Sequence, residues 1–458
     1  MLAAFIQDCG EARLKQSTVL DVRQFIDEQP FSGFQLMVAV MCGALVFMDG
    51  FDAQAMGFVA PALTAQLHIA RAALGPVISI GLVGMMVGGL LGGPLADRFG
   101  RKPVLVVCSF TFGTFSLLTA TADSVQSLAI FRLLTGFGLG GAMPNAIALT
   151  SEYMPKRVRA TAVMTMFTGF TLGAAVGGFV AAALISRFGW QSVFVVGGIV
   201  PFLIGVVVLL GLPESIQFLL VKGGNQEKVR RYLSRIAPGK AQSGDITIGL
   251  KERQAAGFVV KQLFADRRTP ITLLLWLMFF MNLLDLYFLN SWLPTVMNDN
   301  GIKVETAIII TSFFQVGGAV GAILLGRVTD RYWSFSVLAC TYLFAAICIF
   351  LIGESGVSIG LLMLSVTLAG FGVIGGQTSS NALTAEFYPT AIRSTGVGWA
   401  LGIGRIGSII GPTLGGALLS VGGQTRQIFW MASIPVLVAT TAAFSAAFIQ
   451  GKQRREKI

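Results

Sequence analysis

Long runs of apolar and small residues, separated by short polar segments, recur twelve times along the chain. They lie near residues 34–63, 72–96, 103–122, 127–150, 160–185, 191–212, 270–297, 305–328, 335–353, 356–384, 395–420 and 427–450. About 20 such residues span a bilayer as an α-helix, so the pattern predicts an all-α integral membrane protein with twelve transmembrane helices. Composition supports this: 54% of the 458 residues are hydrophobic, 12% are charged, and the mean hydropathy is +0.76, well outside the range of soluble domains. The longest polar stretch, Pro213 to Arg268, divides six helices from six. Its Gly223-Gly224-Asn225 and Pro238-Gly239 turns, with basic residues between them, predict a short amphipathic linker rather than a domain. The expected organisation is a tail over 1–33, a six-helix bundle over 34–212, the linker over 213–268, a second bundle over 269–450 and a tail over 451–458.

The net charge of +11 would suggest a nucleic-acid partner in a soluble protein. Here the positions of the 33 Lys and Arg decide: with both termini inside, 27 fall on one side of the membrane, four on the other (Arg71, Arg187, Lys303 and Arg426), and Arg132 and Arg405 lie within helices. That asymmetry is the positive-inside signal. It places both termini and the linker in the cytoplasm, and no nucleic acid is expected. The first 33 residues carry Asp8, Glu11, Asp21, Asp27 and Glu28 and lack a short apolar core ending at a cleavage site, so no signal peptide is expected. Cys42, Cys108, Cys340 and Cys348 lie in apolar segments without metal-ligand spacing, and neither a metal nor another cofactor is expected.

The two halves repeat one another. At an offset of 233, Asp52 falls on Asp285, Pro61 on Pro294, Gly93 on Gly326 and Asp97-Arg98 on Asp330-Arg331; at 234, Gly136-Phe137-Gly138 falls on Gly370-Phe371-Gly372, and Glu152, Pro155 and Arg159 on Glu386, Pro389 and Arg393. Parallel six-helix repeats joined by a cytoplasmic linker are related by an axis along the membrane normal, with the substrate between them near the midplane. No nucleophile–base set or phosphate-binding loop lies in a soluble segment large enough to fold, so no enzyme is expected.

These residues resemble a family. Gly93-Pro94-Leu95-Ala96-Asp97-Arg98-Phe99-Gly100-Arg101-Lys102, the Arg132, Gly136, Gly138, Gly140 series and Pro213-Glu214-Ser215 are similar to motifs of the major facilitator superfamily. Within it, Asp49-Gly50-Phe51-Asp52 followed by Gly57-Phe58 and Ala60-Pro61-Ala62-Leu63, with Ser291-Trp292-Leu293-Pro294-Thr295, looks like the aromatic acid/proton symporter family. The resemblance implies proton-coupled uptake of acids such as 4-hydroxybenzoate, protocatechuate or benzoate, by a protein expected to act as a monomer in the lipid bilayer. It also implies that the Asp97 and Asp330 loops act as conformational latches.

The chemistry is expected at a few intramembrane polar residues, which are expensive in lipid and face a cavity or a partner. Asp49 and Asp52 share a helix face one turn apart and are candidates for proton coupling; the alternative for the pair is a structural ion pair with Arg132. Arg405 lies eleven residues past Ser394, roughly 16 Å deep in a 30 Å core, where a guanidinium can bind a carboxylate through two hydrogen bonds. Asp285 is read either as a second proton site or as the counter-ion of Arg405. Arg132, Gln377, Asn381, Asn290 and Tyr287 complete the candidate substrate site. The gating set is Asp97, Arg98, Arg101, Glu152 and Arg159, with Asp330, Arg331, Glu386 and Arg393 as their counterparts. An exporter or antiporter of amphipathic compounds and a membrane sensor of aromatic acids remain as other readings.

Overall fold

The computed structural model describes residues 20–67, 69–222, 226–238, 248–249, 260–265, 268–332, 335–356, 358–389, 392–421 and 425–455. Twelve long helices dominate the described residues. In the first half these are α1 (Gly33–Leu67), α2 (Arg71–Phe99), α3 (Arg101–Thr119), α4 (Val125–Tyr153), α5 (Lys156–Phe188) and α6 (Gln191–Gly211). In the second they are α7 (Thr269–Asp299), α8 (Val304–Tyr332), α9 (Phe335–Glu354), α10 (Ile359–Phe387), α11 (Arg393–Ser420) and α12 (Thr425–Arg455). Eleven are long and apolar enough to cross a membrane. The remaining one, α11, has 28 residues, and Arg405 and its glycines dilute its hydropathy.

Several helices outrun their apolar segments: α1 continues to Leu67 and α12 to Arg455. Backbone hydrogen bonding carries the helix past the hydrocarbon boundary, whereas hydropathy registers only the part inside it. Turns between helices are tight. Gly100 joins α2 to α3 at φ +102° and Gly189 joins α5 to α6 at φ +78°, a region open to glycine at little cost. Ser124 and Ser127 cap each other's backbone to start α4.

Close crossings are made by glycines, and the repeat in sequence becomes a repeat in packing. A Cβ on Gly84 of α2 would sit 2.0 Å from Leu133 O of α4, and one on Gly136 of α4 would sit 1.9 Å from Gly81 O of α2. The same crossing recurs between α8 and α10, where Gly317 meets Thr367 O and Gly370 meets Phe314 O, each at 1.9 Å. Small residues let the backbones touch. Helix neighbours follow the same rule: α1–α5, α2–α4 and α3–α6 in the first half correspond to α7–α11, α8–α10 and α9–α12 in the second.

The halves meet through α1–α7, α2–α11 and α5–α8. Their close contacts lie toward the end of the bundle away from the basic loops. A Cβ on Gly57 would meet Asn290 O at 2.3 Å, one on Gly75 would meet Pro412 O at 2.8 Å and one on Gly178 would meet Ser312 Oγ at 1.8 Å. Ser79 Oγ of α2 donates to Ile409 O of α11 at 2.6 Å, and Arg71 pairs with Asp299 at 2.5 Å. Toward the basic end the repeat-related Gly93 and Gly326, and Gly398 and Gly402 of α11, find nothing within 4 Å. The close contacts between the two bundles thus gather at the far end, and these four glycines near the basic end stand in open space.

The described part of the linker carries helices over Ile216–Val221 and Gln226–Ile236. The second buries Val229, Leu233 and Ile236, one face of the helix, in a cluster with Phe25, Ile26, Leu105 and Ile216.

Candidate functional site

Several groups of polar residues sit between or beside the halves. The first is an ion pair. Arg132 of α4 donates through Nη1 and Nη2 to the two oxygens of Asp52 of α1, at 2.9 and 2.6 Å. Both residues are buried, and the guanidinium lies 5.6 Å from the centre of the Phe194 ring. The fork occupies both carboxylate oxygens, so this arginine is already committed to an acid.

One turn earlier, Asp49 is 4% exposed, and its Oδ1 is buried without a hydrogen-bond partner. The two acids of one helix face therefore differ in kind: one is paired, the other is not. Gly50 between them lets α1 touch α5, since a Cβ there would lie 1.9 Å from Phe170 O.

In the second half, Arg405 of α11 is half-buried and has no carboxylate in direct contact among the described residues, and its charge acts on Asp49 of α1 at longer range. Its Nη1 lies 3.5 Å from Tyr287 Oη of α7 and 3.3 Å from Met85 Sδ of α2, so it reaches across to the other half. Asp285 does not serve as its counter-ion: the residue is fully buried, and neither carboxyl oxygen has a partner. Next to these residues, Asn282 Nδ2 of α7 donates to Gln377 Oε1 of α10 at 2.7 Å, and Gln377 Nε2 donates to Asn381 Oδ1 at 3.3 Å. Asn290 is separate from this chain and accepts from Gln315 Nε2 at 3.1 Å.

The gating candidates divide between the repeats. In the first half, Glu152 at the end of α4 accepts from Arg101 Nη1 at 2.5 Å, from Ser215 Oγ at 2.8 Å and from the Gln217 backbone at 2.5 Å. Arg159 reaches Asp27 at 3.1 Å, and the same Asp27 oxygen accepts from the Lys156 backbone at the start of α5. Arg98 lies over the Phe99 ring, and its carbonyl accepts from Lys222. Asp97 is exposed and makes no hydrogen bond or ion pair among the described residues. In the second half, Glu386 is exposed where the side chain of Glu152 is 3% exposed, and Arg393 Nε is buried without a partner. The side chains of Asp330 and Arg331 lie outside the described residues.

Two participants carried no signal of their own in the sequence, and a third was present only inside a motif. Met85, which faces Arg405, is one apolar residue in an apolar helix. Gln315, the partner of Asn290, sits in a segment whose other polar residues bond their own backbone. Glu214 could have been found through its place in Pro213-Glu214-Ser215: its Oε1 accepts from the backbone of Arg101 at 2.8 Å and of Lys102 at 3.1 Å, where the N-terminus of α3 favours an anion.

Among known proteins, the sequence profile of the Major Facilitator Superfamily matches residues 42–269 and 275–457. The chain is 45% identical to the 4-hydroxybenzoate transporter PcaK of Pseudomonas putida over 422 residues, 92% of this chain and 94% of that protein. It is 41% identical to the gallate transporter of Pseudomonas putida over 423 residues (92% and 94%) and 33% identical to the benzoate transport protein of Acinetobacter baylyi over 435 residues (93% of each). Among solved structures, the bacterial homolog of the human lysosomal transporter Spinster, in an inward-facing and unoccupied conformation, matches with a TM-score of 0.72 at 17% identity, covering 91% of this chain and 97% of that one. The inward open xylose transporter XylE from E. coli matches at 0.70 and 17%, covering 90% and 96%. These likenesses establish the fold. Together with the sequence relatives they make the chain a member of the Major Facilitator Superfamily, in the group that holds the 4-hydroxybenzoate, gallate and benzoate transporters, and a multi-pass membrane transporter rather than an enzyme.

Proposed function

We propose that this protein imports aromatic carboxylates of the hydroxybenzoate and benzoate class together with protons, by alternating access, across the bacterial inner membrane with its basic end in the cytoplasm. The observation that carries the reading is a mismatch of partners between the halves. Arg405 is a guanidinium with no carboxylate in direct contact among the described residues, its charge reaching Asp49 only at longer range, while Asp49 and Asp285 are buried acids without hydrogen-bond partners at one or both oxygens. An incoming aromatic carboxylate supplies the missing anion for Arg405. Asp49, on the helix that crosses to α7, is the acid placed to take and release the proton, with Asp285 as a second site. The Asp52–Arg132 pair then orders α1 against α4 and contributes its charges to the same region.

Coupling has a physical rationale. Moving a monoanion inward against about 100 mV, inside negative, costs about 2.3 kcal/mol, and one co-transported proton cancels that charge. The gathering of the inter-bundle contacts at the far end corresponds on this reading to an inward-open state, and Asp97, without a hydrogen bond or ion pair among the described residues, to a released latch.

Purified protein in liposomes tests the proposal. With an inward proton gradient, labelled 4-hydroxybenzoate should accumulate above its external concentration, and an uncoupler should abolish the accumulation. Proton-driven movement out of the interior would establish the exporter reading instead. Saturable binding without flux would establish a sensor.

A further inference from the structure

The amide chain between α7 and α10 is a hydrogen-bonding sequence with two unused ends. Asn282 donates to Gln377 and Gln377 donates to Asn381, which leaves the acceptor Asn282 Oδ1 buried and unpartnered at one end. At the other end the Asn381 amide donor makes no hydrogen bond among the described residues. Turning all three amides over reverses the direction of the chain but again leaves one acceptor and one donor at its ends. A buried acceptor left empty is costly, and a ligand that fills it recovers that cost.

The chain is also at the right depth. Gly404 of α11 packs on Phe279 and Leu283 of α7, and Gly407 packs on Phe280 and Leu284, so Arg405 lies level with Asn282 on the neighbouring helix. On α10, Gly376 and Ser380 face Tyr342 of α9, while Phe371 and Ile374 meet Gly321 and Gly318 of α8. Gln377 and Asn381 are left on the remaining face, half-buried, toward α7 and the space between the bundles.

The geometry points to Asn282, Gln377 and Asn381 as the subsite for a phenolic hydroxyl on the aromatic ring, opposite a carboxylate held by Arg405. A hydroxyl both donates and accepts, so it matches either end of the amide chain. A carboxylate only accepts, and would leave the Asn282 oxygen facing another acceptor. The inference rests on the proposed function, and it assigns the three amides the selection of hydroxylated over unsubstituted benzoates.

Titration calorimetry on the purified full-length protein, with 4-hydroxybenzoate and benzoate as separate ligands, tests it. The wild type should bind 4-hydroxybenzoate more tightly, by about tenfold for one well-placed hydrogen bond. Asn282→Leu and Gln377→Met, which keep size and remove the polar atoms, should bring the ratio close to one by weakening 4-hydroxybenzoate alone. Benzoate binding serves as the control for folding, because it uses Arg405 and not the amides. Asn381→Ser, at the more accessible end, should lower the ratio in the same direction. A ratio near one in the wild type, an unchanged ratio in the variants, or an equal loss of both acids in monodisperse variant protein overturns the assignment. If the wild type binds no aromatic carboxylate at all, the proposed function fails first, and the subsite with it.

Discussion

Asp49 and Asp52 stand one turn apart, yet the structure separates what they contribute. Asp52 is clamped by Arg132 in a buried pair. Removing one partner of such a pair strands the other charge and costs about 3–5 kcal/mol. Asp52→Asn should therefore lower the melting temperature markedly as well as abolish accumulation, and Asp52→Leu with Arg132→Met should recover stability without recovering accumulation. Asp49 has no such partner, so Asp49→Asn should melt within a degree or two of the wild type while losing proton-driven accumulation. A large thermal loss in Asp49→Asn with intact accumulation would reverse the two roles. Arg405 is separable in the same way. Arg405→Lys keeps the charge but loses the planar fork and should weaken affinity for aromatic acids about tenfold; Arg405→Ala should lose binding almost entirely. Normal affinity in Arg405→Ala would move the carboxylate site elsewhere.

At the scale of elements, the start of α3 is the point on which the basic end of the first bundle depends. Glu214 accepts from the first two backbone N–H groups of α3, Glu152 binds Arg101 of the same turn, and Ser215 joins the two acids' surroundings. Gly100, just before, is required twice: its φ is +102°, and a Cβ would lie 2.3 Å from Glu214 Oε2. Glu214→Ala should leave the N–H groups without their acceptor and destabilise the protein by roughly 1–3 kcal/mol, measured as a drop in melting temperature. Its affinity for substrate, set by residues that the cluster does not touch, should be unchanged. A loss of affinity with unaltered stability would show that this cluster acts on the central site directly.

At the scale of the whole molecule, the two bundles are held by a far-end seam. Arg71 and Asp299 form the ion pair between halves found among the described residues, and Gly57 and Gly75 let the backbones of α1 and α2 touch the second bundle. Ala in place of Gly57 would put a methyl 2.3 Å from Asn290 O, an approach incompatible with the closed seam. Gly57→Ala, and more mildly Asp299→Asn, should shift the population toward a far-end-open state. Cysteines introduced along α1 near the seam should then react faster with a membrane-impermeant reagent added from outside. The same substitution at Gly84, inside one bundle, should reduce folding yield without that change in labelling. Equal labelling of wild type and Gly57→Ala would mean that the seam does not control access.

How much of this was legible in the chain differs from level to level. Helix number and the repeat could be read directly, because lipid tolerates only internally hydrogen-bonded helices and because Asp52, Gly93 and Asp97 recur at one spacing. The offsets of 233 and 234 even carried the α2–α4 crossing into α8–α10, through Gly84 with Gly317 and Gly136 with Gly370. Partnership was not legible. Asp49 and Asp52 look alike in sequence, as do Glu152 and Glu386, and Arg132 and Arg405; which of each pair is satisfied depends on side chains arriving from other helices, 80 positions away for Asp52 and Arg132. Local sequence thus determined the helices and their faces, since those follow from short-range hydrogen bonding and transfer to lipid. Only the tertiary structure decided which buried charges are neutralised and which are left unpaired, because Coulomb and hydrogen-bond terms act over a few ångströms of space and take no account of separation along the chain.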